Sequence, residues 1–235
     1  MSYIAIVDYG AGNLMSVHNT LDYLGYENKI AASADVIENA AGVILPGVGA
    51  FPDAMAALEH SGLTETVLKA AKEKPFLGIC LGMQIAVIEF ARSVLGLNDA
   101  NSGEFDENSN HKVIDFMPDQ NSEINKGGTM RLGAYPCKIA AGTKMAECYK
   151  AEEIKERHRH RYEFNNDYRS DMTAKGLVIS GTSPDNHIVE TVEVPENDFY
   201  VGVQFHPEFK SRPNKAHPLF MGLVKAGLDK QMRNS

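Results

Sequence analysis

The 235-residue sequence contains no tryptophan and only three cysteines, Cys80, Cys137 and Cys148. Their spacing is not that of metal ligands and leaves an odd thiol, which is typical of a reducing compartment, so we expect a cytoplasmic protein. No apolar run approaches the ~20 residues of a membrane span. No basic segment precedes the first apolar stretch, so we expect neither a signal peptide nor membrane association.

Positive charge is also scarce, with 23 Lys and Arg against 31 Asp and Glu and a net charge of −8. A net-acidic chain repels phosphate backbones, so we expect no nucleic-acid partner. Nucleotide-binding glycine motifs are incomplete: after Gly10-Ala11-Gly12, Met15 stands where a dinucleotide motif needs its third glycine, and no G-x-x-x-x-G-K-[ST] occurs. Without repeats or a Pro- or Ser-rich linker, residues 1–235 are predicted to form a single domain.

The first 95 residues alternate short apolar strands with amphipathic segments, which predicts a parallel sheet covered on both faces. After residue 98 the texture changes to polar loops and further short strands, which we expect to pair antiparallel. The sequence thus predicts a three-layer α/β fold with a central, mostly parallel sheet. The predicted strands are 3–7, 42–46, 75–79, 130–139, 157–164, 176–182, 187–194 and 199–205; the helices are 14–24, 52–60, 63–73, 83–95 and 217–230; the loops are 98–110 and 117–128.

The most informative motif is Gly78-Ile79-Cys80-Leu81-Gly82, between a predicted strand and a predicted helix. A nucleophile on a sharp strand-to-helix turn needs small residues two positions before and after it, since larger side chains collide in the turn. The helix N-terminus favours thiolate over thiol, and the N–H of Leu81 would face an oxyanion formed on Cys80. The alternative is a buried structural cysteine; Cys137 and Cys148, without such a context, are predicted to pack in the interior.

A cysteine nucleophile needs a base and a group that orients the base, and His206-Pro207-Glu208 offers both. Pro207 favours an extended His206, and in an extended segment residues 206 and 208 project to the same side. Glu208 could then accept a hydrogen bond from one ring nitrogen while the other faces the sulfur. The alternative is a surface histidine before a turn. His158 and His160 could suggest a metal site, but two histidines without a third ligand are a weak signal.

The G-x-C-x-G elbow with a downstream H-P-E resembles the class I, triad-type glutamine amidotransferases over essentially the whole chain. The resemblance implies their flavodoxin-like fold, a triad of Cys80, His206 and Glu208, and hydrolysis of L-glutamine. It also implies transfer of the ammonia to a synthase, without a metal or an organic cofactor.

Two branches of this family are represented. Residues 1–78 resemble the glutaminase subunit of imidazole glycerol phosphate synthase, through Val7 to Leu14 and Leu45 to Met55. Residues 79–228 resemble the glutaminase domain of CTP synthase, through Gly128 to Gly133, Glu156 to Glu163, Ser180 to Asp185 and Gln204 to Pro213. The ammonia acceptor is therefore open between a barrel cyclase and a CTP synthase amidoligase.

The resemblance also assigns substrate contacts. It implies that Glu104 binds the ammonium of glutamine, that Arg161 binds its carboxylate, and that Gln84 contacts the substrate. Without it, Glu104 would be interpreted as a solvated loop acid and 157–161 as a solvated strand face. Gly47, Val48 and Gly49 are expected to complete the oxyanion hole with Leu81, and Gly47 and Leu81 to contact the substrate. The alternative for Gly47–Gly49 is a simple strand-exit turn.

Two other functions fit part of the pattern. A γ-glutamyl peptidase-like cysteine hydrolase could use the same elbow and triad, although Glu104 and Arg161 favour free glutamine. A regulatory module that only binds a partner would have no reason to keep Cys80, His206 and Glu208 together.

Overall fold

The computed structural model describes residues 2–116, 130–212 and 215–234. Most described strands belong to one nine-stranded sheet, in the order β2-β1-β3-β4-β12-β11-β10-β7-β8, and three short strands form a second sheet, β5-β6-β9. The strands are β1 Ile4–Val7, β2 Asn28–Ala31, β3 Gly42–Leu45, β4 Phe76–Ile79, β5 Asn101–Ser102, β6 Lys112–Phe116, β7 Arg131–Ile139, β8 Glu153–His160, β9 Tyr162–Phe164, β10 Val178–Thr182, β11 Val189–Glu193 and β12 Tyr200–Val203.

The helices cover both faces of the large sheet, as the alternation of strands and amphipathic segments predicts. Two single 3₁₀ turns, Asn166–Tyr168 and Pro207–Phe209, complete the regular structure. The helices are α1 Leu14–Tyr23, α2 Ala34–Glu38, α3 Phe51–His60, α4 Thr64–Glu73, α5 Leu81–Ser93, α6 Lys144–Tyr149, α7 Arg169–Ala174 and α8 Pro218–Asn234.

Strand pairing confirms the predicted mixture of directions. β2, β1, β3, β4 and β12 pair in parallel, and β12, β11, β10, β7 and β8 continue the sheet in antiparallel pairs. Because β4 and β12 run in parallel with Ile79 opposite Val203, the segments that follow them leave the sheet side by side. This register brings Cys80 and His206, 126 positions apart in the sequence, to the same edge.

The core consists of two apolar layers on opposite faces of the sheet. Along β1 successive side chains alternate between faces, so that Ile4 and Ile6 pack in one layer and Ala5 and Val7 in the other. The first layer contains buried residues of α1 and α8, and the second contains those of α3, α4 and α5. Full burial of each large aliphatic side chain stabilises the fold by about 1.5–3 kcal/mol. The three-layer α/β prediction is confirmed.

Some predicted elements need correction. The single strand predicted over 157–164 is two strands in different sheets, β8 and β9, separated at Arg161. The predicted loop 98–110 contains β5, and six elements have no sequence prediction: β2, β6, α2, α6, α7 and the turn Asn166–Tyr168. These elements are short, so they offer too few positions for a periodic pattern. The loop predicted at 117–128, and the motif residues Gly128, Thr129 and Pro213, lie outside the described residues.

Candidate active site

Cys80 lies in the sharp turn between β4 and α5 that the sequence predicts. Its φ of 53° and ψ of −103° are unusual for a residue with a side chain, and its N–H donates to the Val203 carbonyl at 2.7 Å. A backbone strained in this way persists only where the surroundings hold it, and it is frequent at functional sites. The turn sets the sulfur at the N-terminus of a 13-residue helix.

The two glycines of the elbow are required by space. A Cβ on Gly78 would lie 2.7 Å from the carbonyl oxygen of Gly82, and a Cβ on Gly82 would lie 2.2 Å from that of Leu45. Both distances are far below a van der Waals contact, and the obstacle is backbone rather than a movable side chain. The G-x-C-x-G pattern thus follows from how closely α5 approaches β3 and β4.

His206 and Glu208 form the pair that the sequence predicts, by a different backbone route. His206 Nδ1 lies 2.8 Å from Glu208 Oε1, and both side chains are almost completely buried. His206 itself is extended, with φ −111° and ψ 93°, but Pro207–Phe209 turns as a 3₁₀ helix, so the extended geometry expected through residue 208 is wrong. The turn brings the carboxylate back under the imidazole.

The imidazole of His206 also has a side-chain hydrogen bond with Cys80. Because Glu208 occupies Nδ1, the other ring nitrogen is the one left for the sulfur. Burial by itself would lower the pKa of His206, but the hydrogen bonds with Cys80 and Glu208 and their negative charge outweigh it and raise that pKa to about 10. At neutral pH the ring is therefore protonated and can give a proton to a leaving group.

The loop before α3 packs directly against the elbow. A Cβ on Gly47 would lie 2.5 Å from the Cβ of Leu81, so these two residues are in the closest contact that a glycine allows. The Tyr9 hydroxyl donates to the carbonyl of Pro46 at 2.8 Å and fixes the start of this loop. Val48 and Gly49 continue it along the wall of a cleft that opens at Cys80. The backbone of residues 47–49 is thus near the sulfur.

The cleft has a volume of about 400 Å³. Of the site residues predicted from the sequence, it brings together Cys80, Leu81, Gln84, Glu104, Arg161, His206, Val48 and Gly49, while Glu208 lies behind His206 and Gly47 behind Leu81. The remaining lining residues, which the sequence does not single out as site residues, are Ala50, Met130, Arg159, His160 and Tyr162.

Glu104 stands at the wall of the cleft, half-buried. Its Oε2 accepts a hydrogen bond from the N–H of Phe51, the first residue of α3, at 3.0 Å. Burial raises the pKa of this carboxyl, while the Phe51 N–H and the positive charge of Arg161 act in the opposite direction. Glu104 therefore anchors a helix as well as facing the cleft, and its interpretation as a freely solvated loop acid is wrong.

A buried polar cluster that sequence reasoning missed lies behind the cleft. On β8, His158 and His160 point inward while Arg157 and Arg159 are exposed. His158 Nδ1 lies 3.1 Å from His160 Nε2, and Glu190 Oε1 lies 2.6 Å from Arg131 Nη1. The alternation of histidine and arginine in the sequence is the signal that could have separated this buried face from a solvated one.

Burial and the charge of Arg131 set the protonation of this cluster. Burial first, then Arg131, lowers the pKa of His160 to about 3, although its contact with the Tyr162 carbonyl opposes the shift. Burial raises the pKa of Glu190 to about 7 against the attraction of Arg131. Among the described residues no group of three potential ligands could hold a metal ion, and no helix of the described chain is long and apolar enough to cross a membrane.

The other two thiols lie elsewhere. Cys137 is completely buried in β7, and Cys148 is partly buried in α6. Burial first, with nearby carboxylates, raises the pKa of Cys148 to about 11 and that of Cys137 further. Neither thiol lines the cleft, and both are protonated at neutral pH.

Comparison with known proteins identifies the class to which this fold and elbow belong. The family model for class I glutamine amidotransferases matches residues 5–226, and the chain belongs to that family. The chain is 48% identical to a CTP synthase of Clostridium beijerinckii over 97% of its own length and 42% of the relative's. It is 56% identical to a CTP synthase of Levilactobacillus brevis over 82% of its length and 35% of the relative's.

A solved structure supports the same assignment. The glutaminase domain of Trypanosoma brucei CTPS, solved with bound acivicin, superposes with a TM-score of 0.80 at 32% identity, covering 97% of this chain and 94% of that one. A GMP synthase structure from Thermoplasma acidophilum shares only the fold, with a TM-score of 0.70 at 16% identity over the whole of this chain and 98% of that one. The chain spans about two fifths of the length of the CTP synthases that it matches.

Proposed function

We propose that this chain hydrolyses the side-chain amide of L-glutamine and supplies the ammonia to a synthase. One observation carries the proposal: a strained elbow cysteine shares a hydrogen bond with a histidine that is oriented by a buried carboxylate, and the sulfur opens into a cleft with Glu104 and Arg161. Nucleophile, base and orienting carboxylate are the parts that acyl transfer needs.

The reaction would proceed in two steps. The Cys80 thiolate attacks the amide carbon, and His206 gives its proton to the departing nitrogen, so that the C–N bond breaks and ammonia leaves a thioester. His206 then takes a proton from water, whose oxygen attacks the thioester, and the C–S bond breaks to release glutamate. Glu208 keeps Nδ1 of the ring occupied throughout. This chemistry needs neither a metal nor an organic cofactor.

The negative oxygen of each tetrahedral intermediate needs hydrogen-bond donors. We propose the backbone N–H of Leu81, at the start of α5, and a second N–H from residues 47–49. The tight contact between Gly47 and Leu81 supports this pairing because it keeps the two backbones side by side near the sulfur. Two such donors in a buried site lower the barrier by several kcal/mol, at roughly 2.7–4 kcal/mol each.

Glutamine presents an ammonium and a carboxylate at the end opposite the reacting amide. We propose that Glu104 binds the ammonium, that Arg161 binds the carboxylate, and that Gly47, Leu81 and Gln84 complete the substrate contacts. The shared cleft and the electrostatic interaction of Glu104 with Arg161 support an assignment to free glutamine. A γ-glutamyl peptidase would have to leave room at one of these charged groups for more chain.

The amidoligase domain of CTP synthase is the proposed ammonia acceptor, and the cytoplasm the proposed compartment. The relatives from Clostridium beijerinckii and Levilactobacillus brevis are CTP synthases, and this chain covers less than half of each. The resemblance of residues 1–78 to the imidazole glycerol phosphate synthase glutaminase keeps a barrel cyclase as the second candidate. Glutamate release should be slow for the chain alone and faster with one of the two purified synthase partners and its acceptor ligand. Full-speed turnover that neither partner changes would contradict the ammonia-transfer proposal.

The nucleophile can be tested by trapping it. An electrophilic chloroketone analogue of glutamine should add one label per chain, at Cys80, by intact-mass and peptide analysis. L-Glutamine and acivicin, which the Trypanosoma brucei domain binds, should both slow the labelling. Labelling confined to Cys148, the partly exposed thiol outside the cleft, would contradict the assignment.

A further inference from the structure

Gln204, two residues before His206, is completely buried beside the nucleophile. Its Nε2 donates to Cys80 Sγ at 3.6 Å, which is within hydrogen-bond range for a sulfur acceptor. The backbone explains this placement: β12 ends at Val203, whose carbonyl accepts from the N–H of Cys80 at 2.7 Å. The residue that follows β12 therefore emerges next to the elbow.

The orientation of the Gln204 amide is fixed by a chain of hydrogen bonds. The Tyr162 carbonyl can only accept, and Gln84 Nε2 donates to it at 3.0 Å. The same Nε2 donates its other proton to Gln204 Oε1 at 3.3 Å. With Oε1 of Gln204 held by Gln84, Nε2 must face the sulfur; a flipped amide would set two donors against each other.

We propose that Gln204 is a positioning residue that donates a hydrogen bond to the Cys80 thiolate and is held for this purpose by Gln84 and the Tyr162 carbonyl. The proposal rests on the proposed function in one respect, that Cys80 is the nucleophile. A thiolate is the stronger acceptor, so the Gln204 donor favours thiolate over thiol and fixes the direction of the sulfur lone pairs. His206 holds the same sulfur through its ring nitrogen.

Two substitutions separate the donor from the volume of the side chain. Gln204→Met removes both polar groups at similar length, and Gln204→Glu keeps an acceptor for Gln84 but turns an oxygen toward the sulfur. Thr191→Val is the matched control: Thr191 is completely buried on β11, where its hydroxyl meets Ser180 at 2.8 Å, away from Cys80.

The readout is the rate of Cys80 alkylation by iodoacetamide across pH, without glutamine. We expect the midpoint of the pH–rate profile to move upward in both Gln204 variants, more in Gln204→Glu, and the rate at pH 7 to fall about tenfold in Gln204→Met. Thr191→Val should keep the wild-type profile. A wild-type profile in either folded Gln204 variant would overturn the proposal.

A measurement on the wild-type side chain covers variants that fail to fold. The side-chain amide proton of Gln204 should change its NMR chemical shift when Cys80 is replaced by Ala, and an unchanged resonance would also overturn the proposal. Glutamate release by the wild type is measured separately, so that a failure of the glutaminase proposal is distinguished from a failure of this one.

Discussion

The Cα of Gly82 lies so close to the carbonyl of Leu45 that a Cβ added there would be 2.2 Å from the oxygen. Gly82→Ala must therefore push α5 away from β3. We expect a loss of about 1–3 kcal/mol in the free energy of unfolding and a slower reaction of Cys80 with alkylating agents, because the elbow opens. Ser93→Ala, at the exposed end of the same helix, is the control. Urea unfolding and alkylation kinetics check this; an unchanged alkylation rate in Gly82→Ala would contradict it.

Arg161 tests substrate recognition. Arg161→Ala should raise KM for glutamine roughly ten- to a hundredfold, because the substrate carboxylate loses a charge-assisted partner. Arg157→Ala, on the exposed face of β8, should leave KM unchanged. Steady-state kinetics and thermal unfolding are measured on the same samples. A collapse of stability with unchanged KM would mean that Arg161 is structural.

The Glu208 carboxylate contributes to keeping His206 protonated, since its hydrogen bond raises the pKa of the ring. If His206 is the acid that releases ammonia, kcat/KM should fall only as pH rises through about 10. Glu208→Gln should move this alkaline limb to lower pH and reduce kcat by roughly a hundredfold or more. A pH–rate profile identical to that of the wild type would exclude the proposed role of Glu208.

The stability of the fold should depend on the buried Glu190. Its pKa in the folded chain is about 7, above the ordinary value, so the folded state binds the extra proton and the free energy of unfolding falls as pH rises from about 4.5 through 7. Glu190→Gln should remove about 2–4 kcal/mol of the difference in unfolding free energy between pH 5 and pH 8. Glu153→Gln, at an exposed position of β8, should not. Chemical unfolding at both pH values decides; equal slopes in wild type and Glu190→Gln would contradict the assignment.

How much the sequence predicts depends on whether the determinant is local. The elbow could be predicted because its sterics involve residues two positions apart, and the parallel half because buried strands and amphipathic helices have strong periodicities. The triad partner His206 could be predicted from the adjacent Pro207 and Glu208. The route of Glu208 through a 3₁₀ turn could not, because that turn is only three residues long.

Gln204 and the cluster around His158 show what local patterns miss. Gln204 is meaningful only because the register of β12 against β4 sets it beside Cys80, and that register is a long-range property. The pairing of Arg131 with Glu190 likewise joins residues 59 positions apart in the sequence. The step from β8 to β9 at Arg161 depends on two separate sheets, which a continuous polar run does not reveal.

Glutamate release from L-glutamine by the wild type and by Cys80→Ser tests the central claim most directly. A hydroxyl at this position is a far weaker nucleophile than the thiolate that His206 stabilises. We predict turnover by the wild type, and only the background rate of buffer for a Cys80→Ser chain with unchanged circular dichroism and unfolding temperature. Turnover at the wild-type rate by a folded Cys80→Ser chain would contradict the account.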